Sequence, residues 1–552
     1  MAQIKLGEGM GVPNPSAVLE LESTNKGFLP PRLTTTQRDS MQEPANGMVI
    51  YNTTLNCLQL YSASTWTCLA KTESAGTYPP RLTIEAIEAL PSPQRGDLAY
   101  DLTFDCLRSF NGSKWVCSYK DPEDNNPEEL AWHVGGTDSD FANRIITDKN
   151  ENVYIIGNFK NEISFEETKL LTASGAQGVF IVKYNSLGKL IWAKKAGEAG
   201  IIEGRSLAVD EQGGIIFTGI FYGNATFSPS NITSVGSGDV FVGKLSSQGD
   251  FVWVTQAGGQ NTDYALDIAV DKHGNSYICG YFIGPTKFGE TNLNIYGGLD
   301  IFVAKINNEG TFLWAKSAGG NFEDIAKSIT VDSNGNVYLT GSFSDSARFG
   351  SSTLLSKGSK DIFICKYSTE GNVNWVKAAG GNSVEGGNGI TLDINGDIYI
   401  TGQFYETISF ESNFLTSQGL GDIFIAKYNL NGNLLWAQQT GGNGFDFANS
   451  IVAGTNGRIY IAGYFTGATT IGKTSLVSEG ERDVLVCSFS TNGNPIWAKK
   501  AGGVFLEEAV AITISIGGNI YTAGYFYSST TFGNTVFNSF GASDFFISRY
   551  KD

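Results

Sequence analysis

Histidine is scarce in this sequence, with two residues, His133 and His273, among 552. Gly-x-Ser-x-Gly, Cys-x-x-Cys, phosphate-loop and His-based metal motifs are all missing. These motifs place a nucleophile, a redox pair, a phosphate cradle or a metal ligand at fixed spacing. Their absence predicts that the protein is not an enzyme. A polysaccharide-active hydrolase that works through carboxylates remains a minor alternative.

Long hydrophobic runs and excess positive charge are also lacking. No run approaches the 18 apolar residues that a membrane-spanning helix needs. Lys and Arg number 38 against 55 Asp and Glu, a formal net charge of −17. Such a chain is a poor partner for nucleic acid or anionic lipid, so we expect neither nucleic-acid binding nor membrane insertion.

The first ten residues lack the basic start and apolar core of a secretory signal peptide. No signal peptide is therefore expected. The protein then leaves the cell by lysis or through a dedicated machine, or the numbering begins after processing.

The chain is rich in Gly (68 residues) and aromatic residues (12%), and most of it is a repeat. The marker is a Trp in an apolar-alternating strand that leads into an Ala-Gly-Gly type of turn. Six successive gaps of 60 or 61 residues separate its seven copies, at Trp132, Trp192, Trp253, Trp314, Trp375, Trp436 and Trp497. Such a period, built from short strands and Gly-rich turns, is typical of a propeller or solenoid.

Each copy is predicted to hold four strands, because apolar and polar residues alternate between turn signals. In the fourth copy the strands are 326–332, 336–343, 361–367 and 373–378. The Asp332-Ser-Asn-Gly-Asn336 segment reads as a tight turn between the first two, since Gly and Asn tolerate positive φ. A further hairpin-like piece, 348–358, lengthens the repeat beyond a WD-type blade.

The two ends of the array predict how it closes. The last copy ends at residues 544–550 without a Trp strand, whereas Glu129-Leu-Ala-Trp132 is a Trp strand with nothing before it. If the N-terminal strand completes the seventh copy, no sheet edge stays open. The predicted fold is therefore all-β, a seven-bladed β-propeller over residues 131–552 that an N-terminal strand closes.

Two aromatic positions recur in every copy and are predicted to pack between blades rather than bind a ligand. One is Phe159, Phe221, Phe282, Phe343, Phe404, Phe465 and Phe526. The other is Phe180, Phe241, Phe302, Phe363, Phe424, Leu485 and Phe546. Each buried aromatic ring covers about 150–250 Å².

A duplication precedes the array. Twelve residues recur at an offset of 49, from Pro30 to Cys68 and again from Pro79 to Cys117. The predicted domains are an attachment segment (1–29), two small β-rich modules (30–70 and 71–119) and an acidic linker (120–130). Each module should hold a short helix, capped by Thr34 or Thr83, followed by two strands and a third that carries Trp.

Four of the seven cysteines lie in these modules at one spacing. Because matching cysteines across a hairpin are within bridging reach, two disulfides are predicted, Cys57 to Cys68 and Cys106 to Cys117. Each would add about 2–3 kcal/mol to a module too small for a large core. Paired core thiols are the alternative. Cys279, Cys365 and Cys487 read as small buried residues of the array.

The N-terminal region resembles the stalk regions of phage tail-fibre and baseplate-associated proteins and of Bacteroidetes-type surface proteins. The likeness lies in residues 17–33, in the Pro-x-x-Gly-Met-Val-Ile-Tyr run ending at Tyr51, and in the segment from Tyr61 to Trp66. In that family such segments attach fibres to particles and are often trimeric. The resemblance implies that residues 1–119 bind other particle, baseplate or fibre proteins, and it suggests a homotrimer.

The array is similar to the bacterial seven-bladed propeller repeat family (SBBP). The motifs are Gly-Gly-x3-Asp, Asp-x-x-Gly-Asn-x-Tyr and Asp-x-Phe-x-x-Lys. The resemblance implies the fold and says little about function.

An acidic residue follows the Gly-Gly turn in each copy, and all seven should face one rim. The set is Asp140, Glu203, Asp263, Asp324, Glu385, Asp446 and Glu507, with Glu203 placed by assuming a one-residue insertion. No cofactor is predicted from these residues, and a Ca²⁺ site or a docking ring is the functional alternative. Carboxylates about 8–10 Å apart repel by only about 0.4–2 kcal/mol, so a structural role capping N–H groups of the neighbouring blade is favoured.

A second acidic set, each member followed five residues later by a basic residue in most copies, reads as inter-strand and inter-blade polar contacts, because residues i and i+5 of a strand face opposite ways. It comprises Asp239, Asp300, Asp361, Asp422, Asp483 and Asp544.

Loops after the recurring Phe vary, which is how a rigid scaffold carries recognition. Candidate glycan-stacking residues there are Tyr222, Tyr281, Tyr405, Tyr464, Tyr525 and Tyr527. Ordinary half-buried strand-end tyrosine is the alternative interpretation.

The leading functional hypothesis is a non-enzymatic fibre or spike of a phage or contractile injection system, recognising host glycan or protein. The alternative is a secreted or cell-surface bacterial adhesin. The expected location is an extracellular particle or the cell surface.

Overall fold

The computed structural model describes residues 4–7, 19–22, 32–41, 49–55, 57–62, 65–68, 81–82, 87, 90, 93, 98–101, 106–110, 115–117, 129–172 and 175–551. The chain divides into two compact units, Met1–Asn125 and Asn126–Asp552. Across the described ranges the regular secondary structure is β, apart from the short helix Thr35–Asp39 and a helical residue at Ile87. That part of the chain contains no helix long and apolar enough to cross a membrane.

The N-terminal unit contains a parallel strand pair and two modules of the same design. Ile4–Gly7 pairs with Leu19–Glu22. In each module a two-residue strand runs parallel to the next, and the remaining strands are antiparallel. The strands of the first module are Arg32–Leu33, Val49–Asn52, Cys57–Ser62 and Thr65–Cys68. Those of the second are Arg81–Leu82, Leu98–Asp101, Cys106–Phe110 and Trp115–Cys117.

The predicted helix cap is present in the first module. The Gln37 N–H donates to Thr34 Oγ1 at 3.2 Å, and the Thr34 N–H donates to Gln37 Oε1 at 2.9 Å. This reciprocal arrangement satisfies backbone donors that a helix start otherwise leaves free. Thr83, which was expected to cap the second helix, lies outside the described residues.

The four module cysteines lie in strands, but their side chains lie outside the described residues. Cys68 is opposite Gln59, two positions from Cys57, and Cys117 is opposite Arg108, two positions from Cys106. The two pairs therefore share one diagonal offset. The disulfides Cys57–Cys68 and Cys106–Cys117 stay predictions.

The second unit contains seven repeats, each with four antiparallel strands. The first strands are Phe141–Thr147, the second half of Leu190–Val209, Asp263–Val270, Ile325–Val331, Gly386–Leu392, Asp446–Ala453 and Glu507–Ile514. The second strands are Val153–Lys160, the start of Ile215–Phe227, Ser276–Phe282, Val337–Phe343, Ile398–Phe404, Arg458–Phe465 and the start of Asn519–Phe532.

The third and fourth strands complete each repeat. The third strands are Gln177–Tyr184, the end of Ser230–Leu245, Asp300–Ile306, Asp361–Tyr367, Asp422–Tyr428, Asp483–Ser490 and the end of Thr535–Lys551. The fourth strands are the start of Leu190–Val209, Phe251–Gly259, Phe312–Gly320, Val373–Gly381, Leu434–Thr440, Pro495–Gly503 and Glu129–Val134.

A short hairpin is inserted between the second and third strands, as the repeat length predicted. In five repeats it is separate: Glu162–Phe165 with Thr168–Leu171, Thr286–Phe288 with Thr291–Leu293, Ser346–Phe349 with Ser352–Leu355, Thr407–Phe410 with Asn413–Thr416, and Ala468–Ile471 with Thr474–Val477. In repeats 2 and 7 the hairpin continues the long strands themselves.

The aspartate turn between the first two strands is structural, as predicted. In repeat 4, Asp332 Oδ1 accepts the N–H groups of Asn334 and Asn336, each at 2.9 Å. Its Oδ2 accepts the Tyr338 hydroxyl at 3.0 Å, and Gly335 takes φ +82°. Burial raises the pKa of Asp332, but these hydrogen bonds outweigh it and hold the pKa below its usual value.

The first and last segments of the array pair with each other. Glu129–Val134 lies antiparallel to Thr535–Lys551, with Trp132 opposite Ile547. Thr147 donates to the Ile514 carbonyl at 3.0 Å, and the Phe180 and Phe545 rings stack at 5.1 Å. The predicted pairing of the N-terminal Trp strand is therefore present, and repeat 1 packs against repeat 7.

The core lies between repeats. In the described part of the chain there are seven hydrophobic clusters: six join successive repeats, and one joins the first repeat to the last. Both predicted aromatic positions are buried throughout, at 1% exposure or less. Trp side chains add hydrogen bonds across these junctions: Trp314 Nε1 donates to the Thr369 carbonyl of the next repeat at 3.0 Å. The unit is thus an all-β, propeller-like array.

Candidate functional site

The candidate site is the edge of the array where each fourth strand ends and the next repeat begins. We call this edge the rim: residues 135–140, 197–202, 258–263, 319–324, 380–385, 441–446 and 502–507, with the segments 235–238, 296–299, 357–360, 418–421, 479–482 and 540–543. Backbone hydrogen bonds join the two kinds of segment, as where Asp324 N–H donates to the Leu299 carbonyl at 2.8 Å.

Six members of the predicted acidic ring begin a first strand on the rim and are buried. Each accepts the N–H of the glycine four residues earlier, which lies at or just after the end of the preceding fourth strand; the Gly320 N–H to Asp324 distance is 2.7 Å. The others are Asp140, Asp263, Glu385, Asp446 and Glu507. These carboxylates therefore cap the backbone of the preceding repeat.

Glu203 does not belong to this ring, and its predicted placement is wrong. Ile202 pairs with Phe221 as Asp263 pairs with Phe282, so Ile202 takes the ring position. No residue is inserted, since Ile202 follows Gly197 at the spacing that separates Asp263 from Gly258. Glu203 instead forms an ion pair with Arg205 and accepts a hydrogen bond from Tyr264.

The second acidic set lies directly beside the ring. Each of its members begins a third strand, is buried, and accepts the N–H of the residue four positions earlier, as Asp361 does from Lys357 at 3.1 Å. Burial, and to a lesser extent repulsion from Asp361, raises the pKa of Glu385 to about 7. The same two causes raise the pKa of Asp446, beside Asp422, to about 7. The acidic ring and the second acidic set, which were predicted as separate features, are therefore neighbours in the structure.

The ring does not form one large metal site. Within the described ranges no three His, Cys, Asp or Glu side chains converge as a metal-binding group. The carboxylates instead meet two at a time, each pair between neighbouring repeats.

A polar cluster lies where the first strands converge. Asp267 of repeat 3 accepts hydrogen bonds from Ser206 of repeat 2 at 2.7 Å and from Ser328 of repeat 4 at 2.9 Å. Arg144 of repeat 1 reaches the same carboxylate at 3.8 Å. Side chains from four repeats therefore meet at one aspartate.

Three of the six candidate tyrosines pack against residues of a neighbouring first strand. Tyr281 stacks on Tyr264 at 5.5 Å, Tyr464 stacks on Phe447 at 4.9 Å, and the Tyr525 hydroxyl donates to Glu508 at 3.0 Å. These three precede the recurring Phe and so point toward the neighbouring first strand. This geometry fits the half-buried interpretation better than glycan stacking.

The other three, Tyr222, Tyr405 and Tyr527, follow the recurring Phe and are half-buried. The Tyr405 ring lies 6.4 Å from Phe445, a partly exposed rim residue. These tyrosines remain candidates for contact with a ligand.

Exposed apolar side chains on the rim were missed from the sequence. Phe322 is 56% exposed, Val504 66% and Phe540 67%. Others are Ile201, Val235, Tyr296, Val384, Leu420, Phe445 and Phe505. Because no rim position is apolar in every repeat, the periodicity gave no signal for them. Clustered exposed apolar residues are typical of a binding surface.

An open cleft of about 630 Å³ lies beside the Trp132 strand and is lined by His133, Glu162, Glu166 and Phe540 among others. The His133 ring packs 4.8 Å from both Phe537 and Phe540, and burial lowers its pKa. Glu162 is in an ion pair with Lys169 at 2.5 Å. Glu162 and the His133 ring therefore already have local contacts, whereas His133 Nε2 has no hydrogen-bond partner in the described structure.

Among curated proteins, the chain is 24% identical over 464 residues to the uncharacterised WD repeat-containing protein L264 of Acanthamoeba polyphaga mimivirus, covering 66% of this chain and 33% of that protein. It is 26% identical over 176 residues to the regulatory protein FlaEY of Caulobacter vibrioides, covering 30% of this chain and 18% of that protein. The chain thus spans a third or less of each relative.

Among solved structures, Sqt1 from Chaetomium thermophilum gives a TM-score of 0.37 at 8% identity, covering 77% of this chain and 100% of that chain. BamB from Moraxella catarrhalis gives 0.30 at 10% identity, covering 82% and 94%. Residues 7–77 match the family model described as phage tail like trimerisation region, and residues 252–281 and 313–342 match the beta-propeller repeat model. The chain therefore combines a phage tail-like trimerisation region with β-propeller repeats, the two resemblances expected from its sequence.

Proposed function

We propose that this protein is a non-enzymatic structural and recognition component of an extracellular particle, a fibre or spike of a phage or contractile injection system. The observation that carries the proposal is the combination of a tail-like trimerisation region at 7–77 with β-propeller repeats in one chain. In this proposal residues 1–119 attach three copies to other particle proteins, and the array presents the rim.

The array is, in this proposal, a closed seven-bladed propeller. Its support is the antiparallel pairing of Glu129–Val134 with Thr535–Lys551 and the hydrophobic cluster that the first and last repeats share. Closure would leave the rim as a rigid platform whose loops vary without disturbing the strands.

The rim is the proposed recognition surface, for a glycan or a protein of a host cell surface. Its support is the set of exposed apolar side chains, with Tyr405 beside Phe445. Aromatic rings are suited to both ligand classes, since they offer a flat apolar face at low entropic cost.

Mass measurement of the purified full-length chain by light scattering tests the assembly, with three copies expected. A variant lacking residues 7–77 should be monomeric. Fractionation of the producing culture tests the location, and the chain should sediment with particles. Recovery in the outer-membrane fraction alone would favour an adhesin, and turnover of a polysaccharide would make the protein a hydrolase.

Binding of labelled protein to host cells tests the rim. The double variant Phe322→Ser, Phe505→Ser should lose most of its binding. Ile394→Ser, Ile516→Ser is the matched control, because these residues are 81% and 60% exposed at the turns on the opposite edge. Equal binding by both variants would remove the rim from the proposal.

A further inference from the structure

Six of the seven junctions between repeats contain two buried carboxylates, one from the third strand of a repeat and one from the start of the next. We call these the carboxylate pairs. They are Asp239 with Asp263, Asp300 with Asp324, Asp361 with Glu385, Asp422 with Asp446, Asp483 with Glu507, and Asp544 with Asp140. All twelve side chains are 1% exposed or less.

Most of these carboxylates lack a partner for one oxygen. In Asp361 and Glu385, one oxygen accepts a backbone N–H and the other has no hydrogen-bond partner in the described structure. Within the same described ranges this holds for nine of the twelve: Asp140, Asp239, Asp263, Asp300, Asp361, Glu385, Asp446, Glu507 and Asp544. Two adjacent buried carboxylates with free oxygens are unstable unless a positive charge or a proton lies between them.

At all six junctions the third-strand carboxylate lies against the bare backbone of the first glycine of the Gly-Gly turn. A Cβ placed on Gly319 would collide with Asp300 Oδ1 and would lie 3.1 Å from Asp324 Oδ2. Glycine therefore leaves open the space between the two carboxylates that any larger residue would fill.

Hydroxyl groups supply an independent sign of a ligand. Thr286, Thr469 and Thr530 occupy one position of the inserted hairpins, are 4% exposed or less, and have no regular hydrogen-bond partner in the described structure. The Thr286 hydroxyl is close enough to Asp263 to lower the pKa of that carboxyl. Three of the six pairs thus have a buried hydroxyl beside them, and at Thr469 and Thr530 that hydroxyl has no hydrogen-bond partner in the described structure.

The seventh junction lacks both members at once. Gly178 stands where the other third strands have aspartate, and Ile202 stands at the ring position. Loss of both carboxylates together indicates that each pair acts as one unit.

We propose that each carboxylate pair binds one divalent cation of the calcium type, which joins two neighbouring repeats. Oxygen ligands without nitrogen or sulfur favour a hard cation, and Ca²⁺ accepts carboxylate, hydroxyl and carbonyl oxygens in irregular geometry. Mg²⁺ prefers to keep several waters, and these sites are closed to solvent. The pair formed by Asp544 and Asp140 would hold the two ends of the array together.

Calcium content of the full-length chain, after equilibrium dialysis against Ca²⁺ and elemental analysis, measures the stoichiometry. Six equivalents are expected, and the thermal unfolding temperature should rise with Ca²⁺ and fall with a chelator, because a ligand that binds only the folded state stabilises it.

The variant Asp361→Gly, Glu385→Ile gives one junction the composition that the chain already has between repeats 1 and 2. It should fold and bind five equivalents. The matched control Glu290→Gln, Glu323→Gln removes two exposed carboxylates, 99% and 55% exposed by side chain, and should still bind six.

Two results would overturn the proposal. One is that the full-length chain takes up no calcium at millimolar Ca²⁺. If its stability then also rose on acidification, the two carboxylates of each pair would share a proton instead of a cation. The other is uptake that the Asp361→Gly, Glu385→Ile variant leaves unchanged, which would place calcium on the acidic surface.

Discussion

The junction between repeats 1 and 2 and the junction between repeats 4 and 5 perform the same packing task with different chemistry. In the first, Ile202 packs with Phe221 and Phe227 in an apolar cluster. In the second, Asp361 and Glu385 lie at the equivalent positions and are buried. Both junctions keep the same strand pairing and a hydrophobic cluster of similar make-up.

The comparison shows that two repeats can pack together without a carboxylate pair, so the pairs are not required for the packing itself. An apolar junction requires no counter-charge, and the chain forms one without a carboxylate pair. Replacing buried ionic groups by apolar ones is often neutral or stabilising in proteins. Six retained pairs therefore point to a role beyond packing.

The largest expected effect is a pH dependence that only the paired junctions carry. Burial, and to a lesser extent the neighbouring carboxylate, raises the pKa of Asp446 and Glu507 to about 7, whereas unfolded carboxyl groups titrate near about 4. The folded state then holds more protons between these values, so without divalent cations stability should fall as pH rises from 5 to 8. Thermal unfolding in chelator at several pH values measures this.

Other charged side chains lie near each carboxylate pair and determine how much that pair contributes to the change of stability with pH. At the junction of repeats 4 and 5, burial raises the pKa of Asp361 and the Lys357 charge opposes part of that rise, whereas Glu406 adds to the rise that burial and Asp361 cause in the pKa of Glu385. The variant Asp361→Gly, Glu385→Ile removes one pair, so its stability should fall less steeply between pH 5 and 8. A stability that is flat or rising from pH 5 to 8 would contradict the raised pKa values.

A single carboxylate in the apolar junction tests the same comparison. Ile202→Asp places one charge without a partner among Phe221 and Phe227, and we expect a loss of about 3 kcal/mol or more in unfolding free energy. Ile201→Asp is the control, because Ile201 is 51% exposed and should change stability by about 0.5 kcal/mol or less. Urea denaturation measures both. Equal losses would mean that the junction is not the cause.

Strands and turns were predictable because the same pattern occurs seven times. The predicted strand 361–367 is observed at the same bounds, and 326–332 is observed as Ile325–Val331. Alternation and Asp-Gly-Asn turns are local properties of the sequence. A strand predicted in one repeat therefore strengthens the prediction of the equivalent strand in the others. The first strands of the small modules, such as Arg32–Leu33, were not predicted because two residues carry no alternation.

The carboxylate pairs were not predictable by local pattern, since their members belong to different repeats. Asp544 and Asp140 meet only because the ends of the array pair. One sequence signal did exist: the second glycine of the Gly-Gly turn is replaced by Glu198 in the copy that leads to Ile202. Glu203 was instead predicted as the ring member because it is acidic, but the strand register places Ile202 at that position.

Filling the space at a paired junction should have a moderate effect. A Cβ on Gly380 would collide with the Asp361 carboxyl carbon, so Gly380→Ala should cost about 1–3 kcal/mol of stability and weaken calcium binding. In the apolar junction, a Cβ on Gly197 meets the Phe227 ring at 2.8 Å, and that ring can move, so Gly197→Ala should cost less. Thermal unfolding with and without Ca²⁺ compares the two.

Gly200→Ala is the control for both substitutions, because a Cβ there meets nothing within 4 Å. If Gly380→Ala matched this control in both measurements, the space beside Asp361 would be larger than the structure has it.

The smallest expected effect concerns the Trp hydrogen bond that joins neighbouring repeats. Trp314→Phe keeps the ring packing but removes the indole N–H that reaches the Thr369 carbonyl at 3.0 Å, so we expect a loss of about 1 kcal/mol. At the junction of the two chain ends, Trp132 Nε1 has no hydrogen-bond partner in the described structure, so Trp132→Phe should cost less. Urea denaturation of both variants decides. A larger loss for Trp132→Phe would mean that the junction of the two ends depends on Trp132 packing more than the junction of repeats 3 and 4 depends on the Trp314 hydrogen bond.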